Sequence, residues 1–324
     1  MIPAAVLRIC GRPPQVEKRP APVPGAGEVP VTVVAAPITP LDLLCASGTS
    51  YFGMPATPYV PGVQGVGVRD DGARVWFATS AGMRPGDGSM AAAVSVPYVD
   101  VVPLPPEAPL ALVAALGLSA VAAHQALTRT GELVPGETVV VLGAGGVVGQ
   151  AAIQLALLGG AGRVIAVSRS PGGRERAVEL GAEEAVALLP GDDPAALADR
   201  LRAASGPADL VLDPVFGVPA AAALRVLRTG GRLVNLGSSA APSAVFDSAT
   251  LRSGSLRVLG YTNNALSVAQ RAESLGEIAA HAAAGRLTVA HEVVPFGHVA
   301  EAWTRQAAGE ANGRIVLDLA DYLL

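Results

Sequence analysis

The feature that most constrains the fold is an apolar run that ends in glycines and continues into an amphipathic segment. Val139–Leu142 has strand character, Gly143-Ala144-Gly145-Gly146 follows it directly, and Gly149 leads into the helical residues 150–158. Glycines let a backbone approach a pyrophosphate closely, and a helix N-terminus offers free N–H groups at the positive end of its dipole. The pattern therefore predicts a dinucleotide site on a βαβ unit.

The glycine spacing is a variant of the usual dinucleotide fingerprint. In the strict GxGxxG pattern a third glycine would stand at Val148, whereas here the match is Ala144-x-Gly146-x-x-Gly149. The last glycine of such a pattern allows the helix to pack against its strand. We predict that the cofactor contacts Ala144, Gly145, Gly146, Val147 and Val148.

The end of the next predicted strand indicates which dinucleotide binds. An NAD site usually has Asp or Glu there, about 20 residues past the glycines, to bind the ribose hydroxyl. This chain has Ser168-Arg169-Ser170, with Arg174 shortly after. A carboxylate would repel a 2′-phosphate, whereas an arginine binds it through a fork of donors. We therefore predict NADPH, held by Ser168, Arg169 and Arg174.

The segment around the glycines alternates between strand and helix patterns. Such alternation, with continuous Val/Ile/Leu strands, predicts a doubly wound parallel sheet covered on both faces, an α/β fold. Strands are predicted at Thr138–Leu142, Val164–Val167, Glu184–Leu188, Leu210–Asp213 and Arg232–Leu236, and helices at Arg174–Leu180, Pro194–Ala204 (capped by Asp193) and Ala220–Leu227.

The first hundred residues have a different character, with short β patterns and dense proline that forbids long helices. Together with the length of 324 residues, this change of pattern predicts two domains. Strands are predicted at Val29–Ala35, Gly65–Val68, Val75–Thr79 and Ala91–Val96, helices at Leu110–Arg129 and Ser267–Ala284, and a β tail at Arg314–Leu319.

Composition excludes several classes of partner. A net charge of -4 and the absence of a dense Lys/Arg run give no basis for binding nucleic acid. The apolar stretch Ala108–Ala123 is too short to span a bilayer and predicts a buried helix. Two cysteines, Cys10 and Cys45, cannot build a disulfide scaffold or a Cys-rich zinc site. We expect a cytoplasmic protein with two small, buried, reduced thiols.

The glycine pattern and other landmarks, taken in order, resemble the zinc-independent quinone oxidoreductases of the medium-chain dehydrogenase/reductase superfamily over nearly the whole chain. The resemblance implies a Rossmann NADP-binding domain, residues 118–257, inserted into a GroES-like β-rich catalytic domain, residues 1–117 and 258–324, with the active site in the cleft. The landmarks are Pro40-Leu41-Asp42, Pro58–Gly62, Gly117–Ala120, Glu179–Ala182, Asp213–Gly217, Gly230–Val234 and Gly313–Leu317.

One departure bears on metal chemistry. The zinc-dependent alcohol dehydrogenases of this superfamily have a His-Glu pair after the Pro-Gly that here is Pro61-Gly62, and this chain has Val63-Gln64. It also lacks their four-cysteine lobe. Catalytic zinc polarises a substrate oxygen, so simple alcohol oxidation is not expected without it. We predict no metal site.

Hydride addition to a quinone or an enone needs less assistance than reduction of a plain ketone. Charge spreads through the conjugated system onto oxygen, where a hydrogen-bond donor can stabilise it. The resemblance makes Tyr51 the candidate donor, with Tyr59 as its substitute. Thr39 stands where many relatives have Asn and could donate a hydrogen bond over a shorter reach. Asp42 is expected to orient that loop.

The nicotinamide end of the cofactor is expected beside the carboxyl ends of the strands. Leu236, Gly237 and Ser238 follow one predicted strand there. Ser119 could bond the carboxamide, since its hydroxyl both donates and accepts. Asn263 is expected to border the same cleft.

The predicted function is thus transfer of hydride from NADPH to a small quinone or α,β-unsaturated carbonyl compound. Two alternatives stay open: an enoyl-thioester reductase, and a non-catalytic NADPH-binding structural or sensor protein. The resemblance also implies a homodimer that extends its sheets across the interface, with Ser255–Gly260 as the pairing edge.

Overall fold

The computed structural model describes residues 1–322, which divide into two compact units. The first unit is Met1–Gly117 together with the segment from Ser267 onward, and the second unit is Leu118–Leu266. The predicted boundary at residue 257 lies nine residues earlier than the observed end of the second unit. The difference arises because the strand Arg257–Gly260 pairs with the sheet of the second unit.

The bounds of the elements within the described residues are as follows. The strands are β1 Ile2–Val6, β2 Gln15–Arg19, β3 Glu28–Pro37, β4 Gln64–Val68, β5 Arg74–Ala78, β6 Ala93–Pro97, β7 Val101–Pro103, β8 Thr138–Leu142, β9 Arg163–Ser168, β10 Glu184–Ala187, β11 Ala208–Asp213, β12 Leu227–Asn235, β13 Arg257–Gly260, β14 His291–Pro295 and β15 Arg314–Asp318. The α-helices are α1 Pro40–Ser47, α2 Leu110–Gln125, α3 Val147–Leu158, α4 Pro171–Glu179, α5 Pro194–Ser205, α6 Val218–Leu224, α7 Ser248–Ser253, α8 Val268–Ala283 and α9 Val299–Ala308.

The second unit is built on a six-stranded parallel sheet in the order β10-β9-β8-β11-β12-β13. Apolar residues of its central strands are fully buried, as in Val139–Leu142 and Val164–Ala166. Burial on both faces explains their continuous apolar sequence. Chain order reverses between β8 and β11, and ligands of such sheets bind at the carboxyl ends of strands at this kind of switch point. The predicted doubly wound α/β fold is confirmed.

The first unit contains a sheet of seven strands in the order β14-β15-β3-β4-β5-β7, with β6 also paired to β3. β1 and β2 form a separate antiparallel pair. The core includes Trp76 and Phe77 of β5 and also Phe296, and each of these residues is at most 1% exposed. The chain leaves this unit after Gly117 and returns at Ser267, so its sheet joins segments that lie far apart in the sequence.

Helix α2 is a strongly apolar helix that contains a break. Gly117 has φ 31° and ψ −132°, values that a side chain would strain. A π-helical turn continues this helix, so that the helical stretch Leu110–Thr130 has 21 residues. It is longer than the apolar run Ala108–Ala123, which we considered too short to span a bilayer. The length and composition of this stretch would allow it to cross a membrane. However, 67% of its most apolar 18-residue segment is buried inside the protein, as expected of a core helix.

Most predicted elements are confirmed, with some shifted ends. The strand Thr138–Leu142 has the predicted limits, and Asp193 caps α5 through hydrogen bonds from two backbone N–H groups. Helix α4 begins at Pro171 rather than Arg174, because Ser170 caps it and proline suits the first turn. Sequence reasoning did not predict α1, α7, α9 or the strands β2, β7 and β14.

Candidate cofactor site and tyrosine loops

The glycine loop, residues 143–146, joins β8 to α3 at the carboxyl edge of the parallel sheet. Gly143 has φ +63°, and a Cβ there would lie 2.6 Å from Cγ1 of Val215. The N–H of Ala144 donates to the carbonyl of Val167 at 2.9 Å, which holds the loop against β9. The sequence therefore needs glycine at 143 for both its backbone conformation and its close contact.

The N-terminus of α3 is open to a ligand. Its N-cap, Gly146, makes no side-chain capping hydrogen bond, and the N–H of Gln150 is the first to bond back, to the Gly146 carbonyl at 2.9 Å. Helix geometry leaves the N–H groups before Gln150 without partners in the helix. The Gln150 amide donates to the Gly145 carbonyl at 2.9 Å and steadies the loop. Such an end suits a phosphate group.

Gly149 allows α3 to approach the glycine loop. A Cβ at this position would lie 2.5 Å from the carbonyl oxygen of Gly143 and 2.6 Å from Cα of Ala144. Both are backbone atoms, so neither can turn aside. This is the close helix packing that the last glycine of the pattern was expected to permit.

The residues that we assigned to the 2′-phosphate meet at the end of β9. Ser168 is buried, and its Oγ would be 3.1 Å from a Cβ placed on Gly145. The Arg174 guanidinium donates to the carbonyl oxygens of Ser168 at 3.3 Å and of Arg169 at 3.0 Å. Arg169 itself is exposed. The structure thus brings Ser168 beside the glycine loop and both arginines to the same strand end, with no carboxylate at either position.

Leu236, Gly237 and Ser238 follow β12 and lie beside the end of β11. The N–H of Leu236 donates to the Asp213 carbonyl at 2.9 Å, and a Cβ on Gly237 would come within 2.6 Å of the Pro214 carbonyl oxygen. These residues therefore line the carboxyl edge of the sheet, where the nicotinamide end was expected.

Asp213 is a buried residue of this edge to which sequence reasoning assigned no role. Its Oδ1 accepts from the N–H groups of Val215 and Phe216, and its Oδ2 accepts from the Asn235 amide at 2.9 Å. Burial raises the pKa of Asp213, although these hydrogen bonds oppose the rise. The carboxyl organises the turn after β11. Its place within a matched landmark was the only signal that could have singled it out.

Asn263 connects the end of the second unit to its beginning. Its amide donates to the Leu118 carbonyl at 3.0 Å, and its Oδ1 accepts from the Tyr261 hydroxyl at 2.6 Å. Ser119 follows Leu118 directly and is half-buried. The two predicted residues are therefore close to each other, and Asn263 is fixed by two hydrogen bonds.

Thr39 begins α1 in the first unit and is engaged in capping it. Its hydroxyl donates to Oδ2 of Asp42 at 2.6 Å and accepts from the Asp42 N–H at 3.2 Å, while the Thr39 N–H donates to the same Oδ2. The single hydroxyl proton that we assigned to a substrate is thus directed to Asp42. In this geometry Thr39 has no proton left to donate to a substrate, because its hydroxyl proton is bonded to Asp42 within the capping box.

Asp42 joins two segments of the first unit. Besides Thr39, its carboxylate accepts from the N–H groups of Gly62 at 3.1 Å and Val63 at 2.9 Å. Burial raises the pKa of Asp42, whereas these hydrogen bonds and the charge of buried Arg314 pull it down. Asp42 therefore orients the loop, as we expected from the sequence.

The two candidate tyrosines lie in different environments. Tyr51 is 76% exposed and contacts Phe52, with ring centroids 4.2 Å apart. Tyr59 is 5% exposed, and its backbone exchanges hydrogen bonds with Leu7. Burial raises the pKa of Tyr59, and the nearby Asp42 carboxylate adds to the rise. Tyr51 is thus free to meet a ligand from solvent, and Tyr59 is held as a neutral phenol.

Within residues 1–322 no group of three or more His, Cys, Asp or Glu side chains is placed to hold a metal ion. Gln64, one of the residues that follow Pro61-Gly62, is buried, and its amide donates to the Ala114 carbonyl at 3.4 Å. Its side chain also occupies the space over Gly117, where a Cβ would lie 2.1 Å from Oε1. Gln64 therefore acts as a packing residue in this unit.

Comparison with known proteins gives matches over the whole chain and over its second half. The family described as zinc-binding dehydrogenases matches residues 147–279, a segment that does not include Pro61–Gln64. A quinone oxidoreductase from Thermus thermophilus, solved alone and with NADPH, is 31% identical with a TM-score of 0.82. That match covers 98% of this chain and 99% of the other.

Two further relatives carry different names. An alcohol dehydrogenase of Geobacillus stearothermophilus is 28% identical, over 97% of this chain and 98% of its own length. A phenolphthiocerol/phthiocerol polyketide synthase of Mycobacterium tuberculosis has a subunit that is 29% identical over 92% of this chain. This chain spans only 14% of the length of that synthase polypeptide. The fold, the glycine loop and these similarities place the chain among the quinone-oxidoreductase-like proteins of the medium-chain dehydrogenase/reductase superfamily.

Proposed function

We propose that this oxidoreductase uses NADPH to reduce a small quinone or α,β-unsaturated carbonyl compound without a metal ion. The observation that carries the proposal is the strand end beside the glycine loop, where Ser168, Arg169 and Arg174 stand in place of a carboxylate. The NADPH complex of the Thermus thermophilus relative supports the same cofactor.

The residues of the second unit fit a bound dinucleotide. The uncapped N-terminus of α3 would hold the pyrophosphate, because its free N–H groups and helix dipole favour an anion. A Cβ at Gly146 would meet only the Gly143 carbonyl oxygen, at 3.5 Å, so the loop leaves space above itself. Arg169 is exposed and can turn its guanidinium toward a 2′-phosphate.

NADPH would supply the hydride, and the chain would supply positioning and charge stabilisation. Negative charge develops on the substrate oxygen as a conjugated carbonyl accepts hydride, and a donor placed there lowers the barrier. Tyr51 is the proposed donor because its side chain is exposed on the loop after α1. Tyr59 is the substitute, since its hydroxyl keeps its proton. Thr39 is less suited, because its proton is bonded to Asp42.

The absence of a metal from the proposed reaction is supported by Val63 and Gln64. The isopropyl group of Val63 and the neutral amide of Gln64 do not supply the imidazole and the carboxylate of the His-Glu pair in the zinc-dependent relatives. A conjugated acceptor reduces the need for a Lewis acid, because the hydride is delivered to carbon at the far end of the conjugated system.

An enoyl-thioester reductase is the rival activity. The similarity to a stretch of a polyketide synthase favours it, since that name belongs to a protein that builds acyl chains. The two activities share the cofactor and the hydride step. They differ in the acceptor, so a substrate panel separates them.

The test is oxidation of NADPH, followed by nicotinamide absorbance, with quinones, short enones and enoyl thioesters as acceptors and NADH in parallel. We expect turnover with a quinone or a short enone and a preference for NADPH. Turnover with enoyl thioesters alone would establish the rival. Binding of NADPH without turnover on any acceptor would favour a non-catalytic binding protein, and equal use of NADH would refute the cofactor assignment.

We also propose a homodimer that pairs through β13. This strand is the edge of the six-stranded sheet, and the Val258 side chain on it is 41% exposed. An apolar edge strand is a template for pairing with a second chain. Light scattering of the purified protein should give twice the 32.4 kDa chain mass, and a monomer would contradict the proposal.

A cytoplasmic location is proposed from the cysteines. Cys10 and Cys45 are both free thiols in the structure, and Cys45 is buried. Free thiols persist in a reducing compartment. Fractionation of the native host cells tests the location, and recovery in a secreted or membrane fraction would refute it.

A further inference from the structure

A pocket of about 220 Å³ opens on the first unit, and none of its lining residues is assigned to the cofactor. We call it the Tyr59 pocket. Its volume exceeds the roughly 150 Å³ of a cavity that holds benzene, and it is smaller than a site for a drug-sized ligand, about 300 Å³ or more. One ring with a small substituent therefore fits. The pocket is lined by Pro55, Pro58, Tyr59, Gly82, Arg84 and Asp87, among others.

The Tyr59 side chain is buried, but its hydroxyl is placed to serve a ligand. A Cβ on Gly82 would lie 3.0 Å from this hydroxyl, so the oxygen sits against a glycine that also lines the pocket. Among residues 1–322 the hydroxyl has no hydrogen-bond partner, and it is not one of the fully enclosed polar atoms. The hydroxyl is therefore partly open and keeps a proton that it can donate to an acceptor in the pocket.

Three charged side chains lie at or near the pocket, and Arg84 is the one available to a ligand. The Asp42 carboxylate near Tyr59 already accepts hydrogen bonds from Thr39, Gly62 and Val63. The Asp87 carboxylate is also engaged, because it accepts from the Val60 N–H at 2.8 Å and forms an ion pair with Arg19 at 3.5 Å, which partly offsets its charge. Arg84 is exposed and has no ion-pair partner among the residues that the structure describes. An unpaired guanidinium beside a neutral phenol donor matches the two oxygens of a carboxylate.

The walls favour a flat apolar body. Pro55, Pro58 and Pro85 line the pocket, and proline presents a rigid ring and no backbone N–H. Gly82 has φ +75°, and a Cβ there would also lie 2.7 Å from Cβ of Cys45, so glycine is needed where the chain packs against Cys45 and Tyr59. A planar ring can therefore enter between rigid walls and reach the Tyr59 hydroxyl.

From this geometry we propose that the Tyr59 pocket binds a one-ring aromatic carboxylate, with its carboxylate between the Tyr59 hydroxyl and Arg84. Tyr59 is also the substitute donor of the proposed reaction, but the site is assigned by binding alone, and none of its lining residues belongs to the glycine loop. Its existence does not depend on which acceptor the enzyme reduces.

Methionine methyl groups offer a direct readout, because the chain has four methionines. Met54 precedes Pro55 and Met83 precedes Arg84, so both flank the pocket, whereas Met1 is 76% exposed outside its lining. With 13C-methyl-methionine protein, titration with benzoate should shift the Met54 and Met83 signals and leave Met1 unchanged. Saturating NADPH should not displace the benzoate.

Variants assign the contacts. Tyr59→Phe removes one hydrogen bond to a charged group, and binding of benzoate should weaken about tenfold. Arg84→Ala should weaken it by a similar factor and reduce its salt dependence. Arg286→Ala is the matched control, since Arg286 is exposed in the same unit but outside the pocket. Benzamide, which keeps the ring without the charge, should bind more weakly than benzoate.

Three results would overturn the proposal. They are the absence of any Met54 or Met83 shift at millimolar benzoate, equal benzoate affinity in Arg84→Ala and in the Arg286→Ala control, and displacement of benzoate by NADPH. Arg84 is exposed, so its substitution leaves the core intact and the comparison holds even if Tyr59→Phe folds poorly.

Discussion

Two helix-interior glycines should respond to the same substitution in opposite ways. Gly149 in α3 faces the glycine loop, and a Cβ there would lie 2.5 Å from the Gly143 carbonyl oxygen. Gly276 in α8 has nothing within 4 Å of the same added atom. Alanine favours a helix interior over glycine by about 0.5–1 kcal/mol, a gain that applies at Gly276 and is smaller at Gly149, the third residue of α3.

The close contact at Gly149 reverses the sign of the change in the free energy of unfolding. Real Cβ atoms essentially never come closer than 3.0 Å to another heavy atom, so α3 must retreat by at least half an ångström from a 2.5 Å contact. Overpacking of this kind costs about 1–3 kcal/mol. We therefore expect Gly149→Ala to lower the free energy of unfolding by about 1–2 kcal/mol, and Gly276→Ala to raise it by up to about 1 kcal/mol.

The same retreat should affect the cofactor. The uncapped N–H groups of α3 would move with the helix, so NADPH affinity of Gly149→Ala should fall at least tenfold, about 1.4 kcal/mol. Urea unfolding and NADPH fluorescence titration of both variants measure the two effects. If Gly149→Ala were as stable as Gly276→Ala and bound NADPH like the wild type, the close packing of α3 on the loop would be refuted.

Three further predictions concern charge and catalysis. Glu137→Gln should cost about 3–5 kcal/mol, because it removes the carboxylate that balances the buried Arg232 charge; Arg232 donates to Glu137 at 2.6 and 2.7 Å and its side chain is 4% exposed. Burial raises the pKa of Glu137, but the hydrogen bonds from Arg232 and from the Val134 N–H, together with the Arg232 charge, lower the pKa by more. This stability is therefore present above pH 4.5 and lost as the pH falls further, a loss that urea titrations of the variant should lack. Arg174→Ala should reduce the NADPH:NADH ratio of kcat/KM about tenfold, and Arg176→Ala, on the same helix, should leave it unchanged. Tyr51→Phe should lower kcat with the best acceptor about 100-fold, and full turnover would exclude Tyr51 as the donor.

The local structure of the second unit was predictable from sequence because its strands are buried on both faces. A continuous apolar run such as Val139–Leu142 is typical of a strand in such a sheet, and Gly149 is required by its close contact with Gly143 and Ala144, a few residues earlier in the chain. Capping residues such as Asp193 act over the same short range. The first unit was less predictable, because short strands such as β14 become strands only by pairing with distant ones.

The sequence alone determined the fold class, the glycine loop and the absence of a carboxylate at the end of β9, since each depends on neighbours along the chain. Only the tertiary structure decided which side chains are free to act. Tyr51 and Tyr59 lie close in sequence, yet Tyr51 is 76% exposed whereas Tyr59 is 5% exposed, because the Tyr59 backbone pairs with the distant Leu7. The physical reason is that hydrogen-bond partners and solvent access are set by packing between distant segments, which no local pattern encodes.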